Sequence, residues 1–270
     1  MNAFEKMNTV EKLKSSLKIS AAIAYYSFLE TLRNRFFLGV VLLALPISLS
    51  ALFLNPYNLG FQVRLVTDAG LTMISTIGLF IVLFFTLDQV VPDIERKTIY
   101  FVVTRSASRL VYMLGRFLGI CLTLLFLHVF LGSLLLAILK IRTSAWFLEV
   151  PVAVFIIFLK QALLVSIVMF LAACSTKIVT VSLSVLIYVL GHGLDIFRML
   201  VDKNGNYFAA HVLDLIAFLL PDFSLFETRI MVMQEIPARG SAIFLLTLYT
   251  FSAILFYLSA GGAILRRRDL

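Results

Sequence analysis

An all-α polytopic membrane protein is the fold class this sequence predicts, on three observations. The 270 residues are 61% hydrophobic and only 14% charged, with a mean hydropathy of +1.02; soluble domains run at roughly 45–50% and 25%. The apolar residues gather into runs of the roughly 20 residues needed to cross a hydrocarbon core. Charges are sparse inside those runs, so backbone hydrogen bonding in lipid leaves the helix as the natural form. The two-residue alternation of a membrane barrel is absent.

Six runs read as spans, at about 36–54, 69–91, 112–138, 149–173, 178–200 and 241–265. Ahead of them, residues 1–35 carry no short apolar region with a small-residue cleavage site, so no cleavable leader is expected. Leu17, Ala21, Ala24, Tyr25, Phe28, Leu32 and Phe36 recur there at steps of one helical face. Lys18, Glu30, Arg33 and Arg35 fall mainly elsewhere. This is the pattern of a helix lying in the cytoplasmic interface before the chain enters the membrane, with a solvated leader as the alternative. Residues 1–35 thus form an interfacial helix and residues 36–270 a six-helix transmembrane domain.

Charge placement sets the orientation. Lys6, Lys12, Lys14, Lys18, Arg33 and Arg35 crowd the N-terminal arm; Lys177 and Arg266-Arg267-Arg268 mark the same side. The other side holds Arg64, Lys140 and Arg142, the last two a mild violation, and a 201–240 segment in which acids outnumber bases. The positive-inside rule places both termini in the cytoplasm, in the reading of a bacterial inner-membrane protein. The net charge of +8 is accounted for by topology and calls for no nucleic acid.

Between the second and third spans runs PDIERKTIYFVVTRSASRLVYMLGR, residues 92–116. Asp93 and Glu95 open it, an apolar middle follows, and Arg96, Lys97, Arg105, Arg109 and Arg116 supply its positive charge. A loop so composed is suited to receiving a cytoplasmic partner; the alternative is that its arginines bind anionic lipid head groups. The 201–240 segment opens on the turn Asp202-Lys203-Asn204-Gly205-Asn206. An apolar run of about 15 residues follows, a length typical of re-entrant elements, and Pro221 ends it. Two short helices dipping into the outer leaflet are expected there.

Motifs for catalysis are missing. No G-x-x-x-x-G-K-[ST] is present to cradle a nucleotide, and no H-E-x-x-H or G-x-S-x-G occurs. Cys121 and Cys174 form no C-x-x-C and read as packing residues. His128, His192 and His211 are far apart in sequence, so no metal site is predicted. Gly191-His192-Gly193-Leu194-Asp195 is superficially similar to the G-x-G-D of intramembrane aspartyl proteases, with the Asp one residue late and no partner motif.

Polar residues inside spans are costly in lipid and face bundle interiors. In the fifth span Thr180, Ser184, Tyr188, His192, Asp195 and Met199 share one helical face, which suits a cavity, a subunit interface or internal packing. In the second, Thr72, Ser75, Thr76 and Thr86 make a shorter stripe. Lys160, beside Gln161, sits midway along the fourth span, where a lysine costs about 2.5–3.5 kcal/mol on insertion scales. It is expected to point inward to a partner or substrate, or to snorkel. Thr72, Thr76, Lys160, Thr180, Ser184, Tyr188, His192 and Asp195 are the candidate translocation-path or subunit-interface residues.

The layout of interfacial helix, six spans, charged first cytoplasmic loop and outer helical segment resembles the permease subunits of exporter-type ABC transporters, of the ABC-2 class. The local likeness lies in Glu95-Arg96-Lys97-Thr98-Ile99, Thr104-Arg105-Ser106-Ala107-Ser108-Arg109 and Leu114-Gly115-Arg116. Leu219-Leu220-Pro221-Asp222-Phe223 is similar to the Leu-Pro-Asn element of the multicopper-enzyme-maturation subgroup, with Asp222 in place of Asn. The sequence departs from the family pattern where Ser106-Ala107 replaces the usual Pro, Lys97 a Gly and Arg116 a Lys.

The resemblance implies a pair of permeases, alike or different, each docking a separate cytoplasmic ABC ATPase, the two ATPases forming a dimer. Residues 92–111 would be the coupling-helix loop, with Glu95, Arg96, Lys97, Thr98, Arg105, Ser108 and Arg109 as docking residues. ATP and Mg would then bind the ATPase and no cofactor this chain, which would not itself be an enzyme; an accessory periplasmic protein is compatible. An intramembrane enzyme using His192 and Asp195, and a non-transporting assembly factor, are the competing readings.

Overall fold

The computed structural model describes residues 3–50, 59–95, 109–143, 147–204, 221–227 and 240–267. Among them are seven α-helices and no strand: α1 (Ala3–Arg33), α2 (Arg35–Ser50), α3 (Leu59–Glu95), α4 (Arg109–Thr143), α5 (Glu149–Cys174), α6 (Lys177–Asn204) and α7 (Gly240–Arg267). A 3-10 turn at Ser224–Phe226 lies before α7.

Four helical stretches are long and apolar enough to cross a membrane: Val63–Asp93, Arg109–Ile141, Glu149–Cys174 and Gly240–Leu265. They coincide with the second, third, fourth and sixth expected spans, and the all-helical architecture is compatible with a membrane protein. The fifth expected span falls on α6, whose apolar part, Lys177–Gly193, is shorter. The first falls on α2, 16 residues with Pro46 inside, beyond which residues 51–58 lie outside the described residues. So do residues 205–220 and 228–239, where most of the two outer helices was expected.

The bundle is organised around α5, which packs on α3, α4, α6 and α7. Its sequence is apolar around the whole circumference, the make-up of a helix enclosed by others, and Leu163, Leu164, Val165, Val168 and Met169 are fully buried. By contrast α7 is peripheral: Phe244, Leu245, Phe251 and Phe256 point outward. Cys121 is half-buried, whereas Cys174, expected to be a packing residue, is exposed at the end of α5.

The N-terminal helix leaves much of its apolar stripe exposed and packs on the bundle largely through small residues. Leu17 and Tyr25 of that stripe are exposed, whereas its Ala24 is buried together with Ser20, Ser27 and Thr31, and the helix packs mainly on α4. The cause is the spacing Gly115-x-x-x-Gly119 on α4. A Cβ on Gly115 would lie 2.7 Å from Ile23 Cβ, and one on Gly119 2.8 Å from the Ala24 carbonyl oxygen. Two smooth surfaces approach closely there, as small residues allow membrane helices to do. Backbone proximity, rather than apolar area, selects the face.

Candidate functional site

Lys160 lies at the floor of a cavity of about 170 Å³ between α3, α5 and α6. Thr72, Ser75 and Thr76 of α3, Tyr188 and His192 of α6, and Phe226 and Glu227 line it. Five residues that sequence alone marked in three separate spans thus come together: Thr72, Thr76, Lys160, Tyr188 and His192. Lys160 is only 6% exposed. Its Nζ donates to Ser75 Oγ at 3.0 Å and lies 6.0 Å from the centre of the Tyr188 ring. Beside it, Gln161 Nε2 donates to the Ser75 carbonyl at 3.0 Å. That amide occupies the space a side chain at Gly78 would fill.

The polar equipment of the walls differs by helix. Thr72 and Thr76 donate their hydroxyl hydrogens to the carbonyls of Asp68 and Thr72, at 2.7 and 2.8 Å. Their oxygens are left as acceptors toward the cavity. Across from them, the rings of Tyr188 and His192 stand 5.0 Å apart, and Nδ1 of His192 is buried without a hydrogen-bond partner among the described residues.

Residues 221–227 close one end. The Phe223 backbone N–H donates to the Gly191 carbonyl at 3.3 Å, and the Phe223 ring stacks on His192 with centres 6.5 Å apart. Gly191 has no side chain to obstruct that ring. Asp222 bonds locally, its Oδ1 accepting from the Ser224 N–H at 3.0 Å and from the Ser224 hydroxyl at 2.6 Å. Asp222 thus forms an Asx-type turn leading into the 3-10 turn.

The polar stripe of α6 divides. Thr180 and Ser184 are fully buried within the chain, donating to the carbonyls of Thr176 and Thr180 at 2.9 and 2.6 Å. They are internal packing, the alternative to a path or interface role. Leu183 and Ile187, on the flank of that stripe, are half-buried; Val181, Val185, Leu186 and Val189 are among the exposed positions of α6. The side chain of Asp195 lies outside the described residues, as do that of Glu95 and the whole of Arg96, Lys97, Thr98, Arg105 and Ser108. Arg109 is the first residue of α4.

A second polar centre sits where α3 ends and α4 begins. Arg116, whose side chain is 15% exposed, donates through Nη2 to Asp93 at 2.5 Å and through Nη1 to Glu30 at 2.8 Å and Ser27 Oγ at 2.9 Å. Tyr112 donates its hydroxyl to Asp93 and accepts from Arg116 Nε at 3.3 Å. Gln89 continues the network, accepting from Ser27 Oγ at 2.9 Å and donating to Thr31 Oγ1 at 2.6 Å. One guanidinium therefore joins α1, α3 and α4, a use of the planar fork that a point charge cannot reproduce. Sequence reading noted Arg116 and Asp93 as charges of one segment but missed their pairing and the rest of this centre, although Ser20, Ala24, Ser27 and Thr31 carry a small-residue helical spacing.

Among the described residues no three His, Cys, Asp or Glu side chains converge on a metal position. Fold and sites define a helical protein with the apolar length of a membrane protein and a partly open polar cavity beside the buried Lys160. No protein-family model matches the chain, and no curated protein matches it.

Proposed function

We propose that the chain is the membrane-spanning permease subunit of an ATP-driven exporter, pairing with a second permease and docking separate cytoplasmic ATPases through residues 92–111. The observation that carries this reading is the Arg116 centre. Residues 96–108 are flanked by Asp93 and Arg109, and Asp93 is fastened through Arg116 to α1 and α4. A push on that segment from a cytoplasmic partner is delivered to three helices at once. The cavity over Lys160 supplies the other requirement of transport, a polar site enclosed by helices.

Along α3 the two centres are about 25 Å apart, the rise of the 17 residues from Thr76 to Asp93. In the proposed topology the Arg116 centre lies at the cytoplasmic face of a bacterial inner membrane and the cavity in the outer half. Both termini are then cytoplasmic, six helices cross, and α1 lies along the interface while leaning on α4.

Purification from native membranes in mild detergent tests the reading. An ATP-hydrolysing protein is expected to accompany the chain, and the R105E/R109E double variant is expected to lose it while remaining inserted. A wild-type chain that carries no ATPase, or a double variant that retains it, contradicts the proposal.

A further inference from the structure

We infer that the groove between α4 and α5 binds a membrane-dissolved alcohol, an apolar molecule whose hydroxyl donates to Nε2 of His128. The inference goes beyond the permease reading. It takes from that reading only the placement of α4 and α5 in a bilayer and involves no ATPase, so the two fail by different experiments.

His128 supplies the recognition. The residue is 1% exposed, and its Nδ1 lies 2.7 Å from the Leu124 carbonyl oxygen, one turn back on α4. A carbonyl oxygen only accepts, so Nδ1 carries the hydrogen, and Nε2 of the neutral ring is left as an acceptor. With Nδ1 turned back to its own helix, Nε2 faces away from that backbone. It is buried with no hydrogen-bond partner among the described residues. The Phe158 ring, its centre 5.9 Å from that of the imidazole, stands beside it and has no N–H or O–H to give. A buried acceptor without a donor is costly, and a donor that arrives with a ligand removes that cost.

The surroundings narrow the ligand. His128 lines a groove of about 310 Å³ together with Leu125, Val129 and Leu136 of α4 and Val154 and Phe155 of α5. Leu125, Val129 and Phe155 are exposed, so the groove opens to the outside of the bundle, where lipid would meet it. No side chain fills it at Gly132. The other polar side chain lining it is Ser133, which donates its hydroxyl to the Phe130 carbonyl at 2.8 Å. The lining side chains therefore present acceptors and no free donor. A carboxylate, phosphate or ketone would find nothing there to donate to it, and an ammonium or amide would bring more hydrogens than Nε2 can accept. A hydroxyl brings one. The volume is about twice the ~150 Å³ of an apolar cavity that takes a benzene ring, which leaves room for a chain or fused ring of roughly ten carbons.

The test uses the full chain in phosphatidylcholine nanodiscs and a ten-carbon primary alcohol carrying an aliphatic diazirine, with the photolabelled peptides read by mass spectrometry. Saturable labelling is expected within residues 125–136 or 150–158. Decanol should displace the probe about fivefold or more better than decane, the worth of one hydrogen bond. H128F, which keeps a ring and removes Nε2, should bring decanol down to the level of decane. S133F, at an exposed position on the groove wall, should fill the groove and abolish saturable labelling even if H128F fails to fold. Displacement by decane as good as by decanol in the wild-type chain, unchanged labelling in H128F or S133F, or no saturable labelling at all overturns the inference.

Discussion

Arg116 on α4 and Asp93 on α3 meet at 2.5 Å, with side chains 15% and 21% exposed, close to the two ends of segment 96–108. Because the same guanidinium also reaches Glu30, the N-terminal helix is fastened to the flanks of that segment. Removing one member of such a pair leaves the other charge poorly compensated, which costs more than the pair itself contributes.

Arg116→Met is therefore expected to destabilise the chain by about 3 kcal/mol, the scale for breaking a buried pair, measured by unfolding in nanodiscs. Arg116→Lys should lose part of this, since one ammonium cannot serve Asp93, Glu30 and Ser27 in a fork. Glu30 is 58% exposed, so Glu30→Gln should cost less than about 1 kcal/mol. An R116M variant as stable as wild type would show that the Arg116 centre does not hold the three helices together.

The α1–α4 contact rests on backbone proximity, which a single side chain disrupts. Gly119→Leu is expected to push α1 away, because even a Cβ there meets the Ala24 carbonyl oxygen at 2.8 Å. A cysteine at Ser27, fully buried in the native packing, should resist maleimide in the parent and react in the G119L background. Reaction at equal rates in both would show that α1 does not dock through this face.

The long apolar helices were legible in the sequence because apolar length is a local property. Val63–Asp93, Arg109–Ile141, Glu149–Cys174 and Gly240–Leu265 each announce themselves without reference to the others. The convergence of Thr72, Thr76, Lys160, Tyr188 and His192 was legible in part, since polar residues in apolar helices turn inward. What periodicity could not show was which polar residues are consumed locally. Thr180 and Ser184 share a face with Tyr188 and bond to their own helix's end or to the turn before it. Nor could it show that Arg116 and Gln89 select Ser27 and Thr31 over the larger apolar stripe of α1, a choice made by surfaces distant in sequence.

On α6, cysteines at Thr180 and Ser184 should stay unreactive toward a membrane-permeant maleimide, both positions being fully enclosed. A cysteine at Val189, 56% exposed, should react, and should crosslink between copies if α6 forms the subunit interface. Ready crosslinking at Ser184 would mean that α6 turns a different face outward in the assembled protein.

Topology gives an independent check. Cysteines at Asn8, Ser106 and Asp269 should be labelled only from the cytoplasmic side, and one at Asn204 only from the opposite side. Labelling of Asn204 from the cytoplasm would remove a crossing from the proposed six.

The central claim is that a separate ATPase acts on this chain through the charged segment and that the Lys160 cavity lies downstream of it. ATP hydrolysis in the purified complex tests this most directly. The expected result is hydrolysis that accompanies the wild-type chain, disappears with R105E/R109E and still accompanies K160M. A preparation in which R105E/R109E retains full hydrolysis, or in which the wild-type chain brings none, contradicts the claim.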